Sequence, residues 1–94
     1  MLYDMSQVEF YIPEHIKVEK QCTVRFDGDD ITVEYFSAGN TRTYKGWARG
    51  LGHYELSGMD FNGRANLHCF EGTDFFEGAW VEEDVQGMWL IRLG

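Results

Sequence analysis

The sequence predicts an all-β fold, about eight short antiparallel strands joined in a meander and closed, or nearly closed, into a small barrel. Three observations carry this expectation. Apolar and polar residues alternate with a period of two along most of the chain, and no helical periodicity of useful length interrupts them. Turn-forming Gly, Asn and Asp recur between the alternating runs, as at Gly28-Asp29, Gly39-Asn40, Asn62-Gly63 and Gly72-Thr73-Asp74. Hydrophobic residues make up 44% and aromatics 16% of the 94 positions, too apolar for a disordered chain and rich in the types that suit a pleated surface.

In chain order, Val8, Phe10 and Ile12 alternate with Gln7, Glu9 and Tyr11 until Pro13 removes a donor and ends the strand. Ile16, Val18, Cys22, Val24 and Phe26 make an even-numbered inward stripe interrupted only by Lys20. Gly28 at the first central position predicts a II′ turn, which pairs Phe26 with Ile31, Val24 with Val33 and Cys22 with Tyr35. A turn at Gly39-Asn40 places Tyr35 opposite Tyr44 by the same counting. Trp47 is expected to face inward and pair with Tyr54 across Gly50-Leu51, with a β-bulge at Gly46 absorbing the change of parity. Tyr54 and Leu56 continue inward.

Two registers are open for the next hairpin: a turn centred between Asp60 and Phe61, or one at Asn62-Gly63. Ala65, Leu67 and Cys69 alternate inward after it. In the last hairpin a turn centred between Asp84 and Val85 sets Trp80 against Trp89, Gly78 against Ile91 and Phe76 against Leu93. Strands opened by Gly52, Gly63 and Gly87 form a recurrent hairpin unit, too irregular in spacing for a solenoid. An open sheet of this many twisted strands would leave an apolar face and two edges, so closure is expected, with a strongly curved half-barrel as the alternative.

Residues 1–94 are read as a single domain, of a size that buries about 60–65% of the unfolded surface. There is no apolar run of signal-peptide or membrane-spanning length, so a cytoplasmic location is expected. Cys22 and Cys69 are expected as free thiols, with a disulfide open if their strands prove adjacent. Net charge is −8, which argues against phosphate-directed nucleic-acid binding and against an anionic membrane, and is compatible with a basic protein partner.

For chemistry, His53 and His68 lie on the outward faces of neighbouring strands, and the Asp60/Phe61 register sets them opposite each other with Glu55 and Asn66 next. Two histidines and a carboxylate can hold zinc; the Asn62-Gly63 register dissolves the pair, and no metal site or cofactor is expected. Cys69 beside His68 points to the opposite face, so no thiol–imidazole couple forms. Acids at Asp27, Asp29, Asp30, Glu82, Glu83 and Asp84 read as solvated turn residues. An enzyme is not expected.

Gly46-Trp47, Gly78-Ala79-Trp80 and Gly87-Met88-Trp89 place Trp beside Gly-rich turns, and in this the chain resembles the calycin-like meander barrels, the avidin type above all. The likeness implies a fold and brings no binding residue with it. Two functions are in view. The first is a non-enzymatic barrel holding a small planar or apolar ligand among Tyr35, Tyr44, Trp47, Tyr54, Trp80 and Trp89. The second is an acidic inhibitor or immunity-type protein engaging a basic macromolecule. Tyr11, Phe36 and Phe70 on polar faces are candidates for pairing two copies.

Overall fold

Eight antiparallel strands follow one another around a closed barrel, each bonded to the next and the last to the first. They are β1 (Leu2–Ile12), β2 (Ile16–Asp27), β3 (Asp30–Ser37), β4 (Asn40–Ala48), β5 (His53–Gly58), β6 (Gly63–Cys69), β7 (Phe75–Glu82) and β8 (Val85–Arg92). This computed structural model describes residues 1–13, 16–37, 39–69 and 71–94, with Ile16 by its backbone alone. Closure comes from β1 against β8, where Val8 pairs with Ile91 and Phe10 with Trp89. No strand edge is left as a template for further pairing.

The inward stripe fills the barrel. Val8, Ile31, Val33 and Tyr44 are wholly buried, and Trp89 and Leu67 nearly so. Trp89 packs against Phe10 and Tyr44 with ring centroids 5.9 and 5.2 Å away, and its indole Nε1 donates to the Asn66 carbonyl at 2.9 Å. That bond reaches from β8 across β7 to β6, and Gly78 permits it. Gly78 pairs with Trp89, and a Cβ there would lie 1.9 Å from the Asn66 oxygen. At the chain ends, Met5 N donates to Gly94 O and Gly94 N donates to the buried Ser6 hydroxyl, closing the seam around an irregularity in β1 between Tyr3 and Ser6.

The β2–β3 hairpin has the expected register, Phe26 with Ile31, Val24 with Val33 and Cys22 with Tyr35, around Gly28 at φ 62°. Two other hairpins are offset from expectation. In β3–β4 the pair next to the turn is Ser37 with Asn40, so Tyr35 faces Arg42 and Val33 faces Tyr44; Gly39, at φ 81°, lies within the turn, whereas Asn40 begins the strand. In β7–β8 the turn residues are Glu83 and Asp84, with Glu83 at φ 54°, so Trp80 faces Gly87, Gly78 faces Trp89 and Phe76 faces Ile91. Both offsets are of two residues, and a strand alternates with period two, so each side chain stays on its expected face.

The β4 expectation fails more seriously. No bulge occurs at Gly46. It pairs with Leu56 on the inward stripe, and Trp47 pairs with Glu55 on the outside, half exposed beneath the Arg49 guanidinium. The reason is crowding: a Cβ on Gly46 would lie 1.8 Å from the Glu55 carbonyl oxygen, so the inner position admits only glycine and the large ring falls outside. In β5–β6 His53 pairs with His68 and Glu55 with Asn66, which selects the Asp60/Phe61 register. Cys22 on β2 and Cys69 on β6 are not neighbours and form no disulfide. Tyr11 and Phe36 are exposed as expected; Phe70 lies outside the described residues. No helix long and apolar enough to cross a membrane occurs among the described residues.

Candidate functional site

Meander connectivity gathers the turns after β1, β3, β5 and β7 at one end of the barrel. Here the inward stripe stops being wholly apolar. Along β7 it runs Phe76, Gly78, Trp80, Glu82, so the residue that ends the strand carries a carboxylate turned into the mouth. Glu83, with its positive φ, reverses the chain immediately afterwards, and its N–H donates to Asn62 O at 3.0 Å, tying this turn to the β5–β6 turn.

Glu82 Oε1 accepts the Tyr35 hydroxyl at 2.8 Å and the Tyr44 hydroxyl at 3.1 Å. Two phenols from adjacent strands thus converge on one carboxylate oxygen. Burial, reinforced by the Glu82 charge, pushes both phenols well above their ordinary range, so both are neutral donors at any physiological pH. Phe61 stands edge-on to Tyr44 at 5.1 Å, and the Arg42 guanidinium lies 4.6 Å above the Phe61 ring, so this side of the mouth is covered. Glu82 has no ion-pair partner among the described residues.

Beside the covered part lies an open recess of about 280 Å³. Phe10, Tyr35 and Trp80 supply aromatic walls, Ile12 and Val18 aliphatic ones, and Glu82 and Lys20 the charged groups. The walls are held in place from below. Phe10 packs against Tyr35 at 4.9 Å and edge-on to Trp80 at 5.9 Å, and Trp80 Nε1 donates to Met88 O at 3.0 Å. The arrangement can present mutually tilted aromatic walls to a small molecule, with a carboxylate acceptor and an ammonium donor among the lining groups.

The six aromatics expected to form a site separate into distinct places. Tyr35 and Trp80 wall the recess, and Tyr44 lies beside it, sharing Glu82. Trp89 is sealed in the centre. Tyr54 belongs to the opposite end, packed with Phe26 and Phe76 at 5.8 and 6.1 Å. Trp47, expected inside, is outside.

Phe10, Lys20 and Glu82 were not among the expected site residues. Signals for the last two existed: Lys20 interrupts an apolar stripe, and Glu82 has the parity of Trp80. Elsewhere, burial pushes the Cys22 thiol up to about 12, so it stays protonated, and Cys69 faces inward while His68 faces out.

No family model, curated protein or solved structure matches the chain. The functional reading therefore rests on this chain's own residues.

Proposed function

We propose that the protein is a non-enzymatic binding barrel of broadly calycin-like kind, and that its small planar ligand sits in the mouth between Phe10, Tyr35 and Trp80, not at the barrel centre. The observation that carries this reading is the convergence of Tyr35 and Tyr44 on the Glu82 carboxylate beside an aromatic-walled recess. Most small-molecule sites combine apolar walls with a few fixed polar groups, and the buried phenols fix this carboxylate. A recess of about 280 Å³ suits a molecule of one or two fused rings. The packed centre, with Tyr44 and Trp89 buried, offers no comparable space.

The reading is tested by thermal denaturation with indole, tryptamine, benzamidine and adenine. At least one should raise the melting temperature, and benzamidine or adenine, which carry no indole, should also quench tryptophan fluorescence if they bind, in a way that Trp80→Phe and Glu82→Gln diminish. A panel without any response would overturn it.

A second reading, an acidic protein docking on a basic macromolecule, is favoured by the opposite end. There Asp27, Asp29, Asp30, Glu71 and Asp74 are exposed around a fully exposed Leu51. Mixed charge and apolar contact of that kind suits a basic surface. Capture of a purified basic partner that weakens with salt would support it, and salt-independent association would exclude the electrostatic form.

A further inference from the structure

We propose that His53 and His68 form a two-imidazole site for a divalent late first-row metal ion, Zn²⁺ or Ni²⁺, on the outer face of the β5–β6 hairpin. The two residues are directly opposed on adjacent antiparallel strands. Their position in the ladder brings them close. Cys69 N donates to Gly52 O at 2.7 Å, so the hydrogen-bonded pair is the one before, and His53/His68 occupies a non-hydrogen-bonded position, where side chains approach most closely. The ring centroids stand 4.3 Å apart in an edge-to-face arrangement.

Two imidazoles on a single tetrahedral ion hold their nitrogens about 3.3 Å apart, given metal–nitrogen bonds of about 2.0–2.1 Å. Each ring centroid lies roughly 1 Å behind its ligating nitrogen, so the same geometry sets the centroids roughly 5 Å apart, and the rings reach it by splaying from the 4.3 Å they keep without metal. The nitrogens are also available. Neither imidazole makes a hydrogen bond or ion pair among the described residues, although both are surrounded by groups that could engage them. Glu77 faces His68 from β7, and Glu55, two residues beyond His53, is engaged by Arg49 at 3.4 Å. These carboxylates favour a cation nearby, but no set of three or more His, Cys, Asp or Glu stands ready to hold a metal among the described residues. The protein therefore supplies two ligands and water completes the sphere. Imidazole suits Zn²⁺ and Ni²⁺ and discriminates against Mg²⁺ and Ca²⁺, which prefer oxygen.

The site lies on the outer wall, away from the aromatic mouth, so it stands or falls independently of the ligand reading. Its test is titration of the full chain with NiCl₂ and with ZnCl₂, followed by calorimetry and by thermal denaturation. One ion per chain and a rise in melting temperature are expected. His53→Ala and His68→Gln should each weaken binding by at least tenfold, while His15→Ala, which removes the remaining histidine of the sequence, and Glu82→Gln leave it unchanged. Folding of the variants is checked by their metal-free melting temperatures. Binding by His53→Ala or His68→Gln equal to wild type, or loss of binding in His15→Ala alone, would overturn the proposal.

Discussion

Replacing Tyr35 by Phe removes one oxygen and almost no volume, so its effect isolates the bond to Glu82. That bond is short, 2.8 Å, to an acceptor on a carboxylate, and hydrogen bonds to charged groups contribute about 1.5–3 kcal/mol. Because Glu82 is only partly buried, the lower end applies, and Tyr35→Phe should cost about 1.5 kcal/mol. Tyr44→Phe, at 3.1 Å, should cost about 1 kcal/mol. The two phenols share Oε1, so either compensates in part for loss of the other. The double variant should therefore exceed the sum of the singles, by about 0.5–1 kcal/mol. Glu82→Gln preserves shape but leaves neutral bonds of about half the strength, a loss of about 1–2 kcal/mol. Urea denaturation resolves such differences in a domain whose total stability is of the order of 5–15 kcal/mol. Tyr35→Phe and Tyr44→Phe each within 0.5 kcal/mol of wild type would refute the idea that the phenols and the carboxylate form a fixed hub.

The parity of β4 predicts a contrast between two tryptophans: Trp89→Ala, which empties the centre and orphans the Asn66 carbonyl, should cost about 3–5 kcal/mol, whereas Trp47→Ala should cost below about 1 kcal/mol in the same denaturation assay. Stability should also fall in alkali. The folded chain holds the Cys22 proton up to about pH 12 while the unfolded chain releases it near 9.0, so this contribution is complete below pH 9 and declines above it by up to about 1.4 kcal/mol per pH unit. Tyr35 and Tyr44, whose ordinary value is 10.0, steepen the decline beyond pH 10. Denaturation midpoints across pH 8–11 follow both limbs, and Cys22→Ala should remove the decline between pH 9 and 10 and reduce, without abolishing, the decline above pH 10, where the two phenols still contribute.

How far the sequence reveals this molecule depends on which physical rule governs each position. The β2–β3 hairpin was legible because two independent signals agreed, the alternation around Val24 and Val33 and a glycine at the turn position that needs positive φ. The turns after β3 and β7 fall one residue earlier than the pattern suggests, because a non-glycine, Glu83, takes the strained conformation, and because Asn40 looks like a turn residue but begins a strand. Even offsets leave the inward side chains of those strands on their expected face. Hydrophobicity alone argues for an interior Trp47, while the close approach of the β5 backbone at Gly46, which puts the ring outside, is a long-range fact with no local signature. Glu82 resembles a solvated turn acid by its neighbours Glu83 and Asp84, but the inward parity it shares with Trp80 decides its place. The opposition of His53 and His68 was foreseeable only as one of two registers.

The three tryptophans allow the most direct test of the central claim, since each marks one place: Trp80 the mouth, Trp89 the packed centre and Trp47 the outer wall. In a ¹H–¹⁵N spectrum of the indole groups, titration with a planar ligand identified by thermal shift should move the Trp80 resonance, leave Trp47 in place and perturb Trp89 far less than Trp80. A Trp89 resonance that moves while Trp80 stays fixed would contradict the account, because it would require an open cavity at the centre of the barrel.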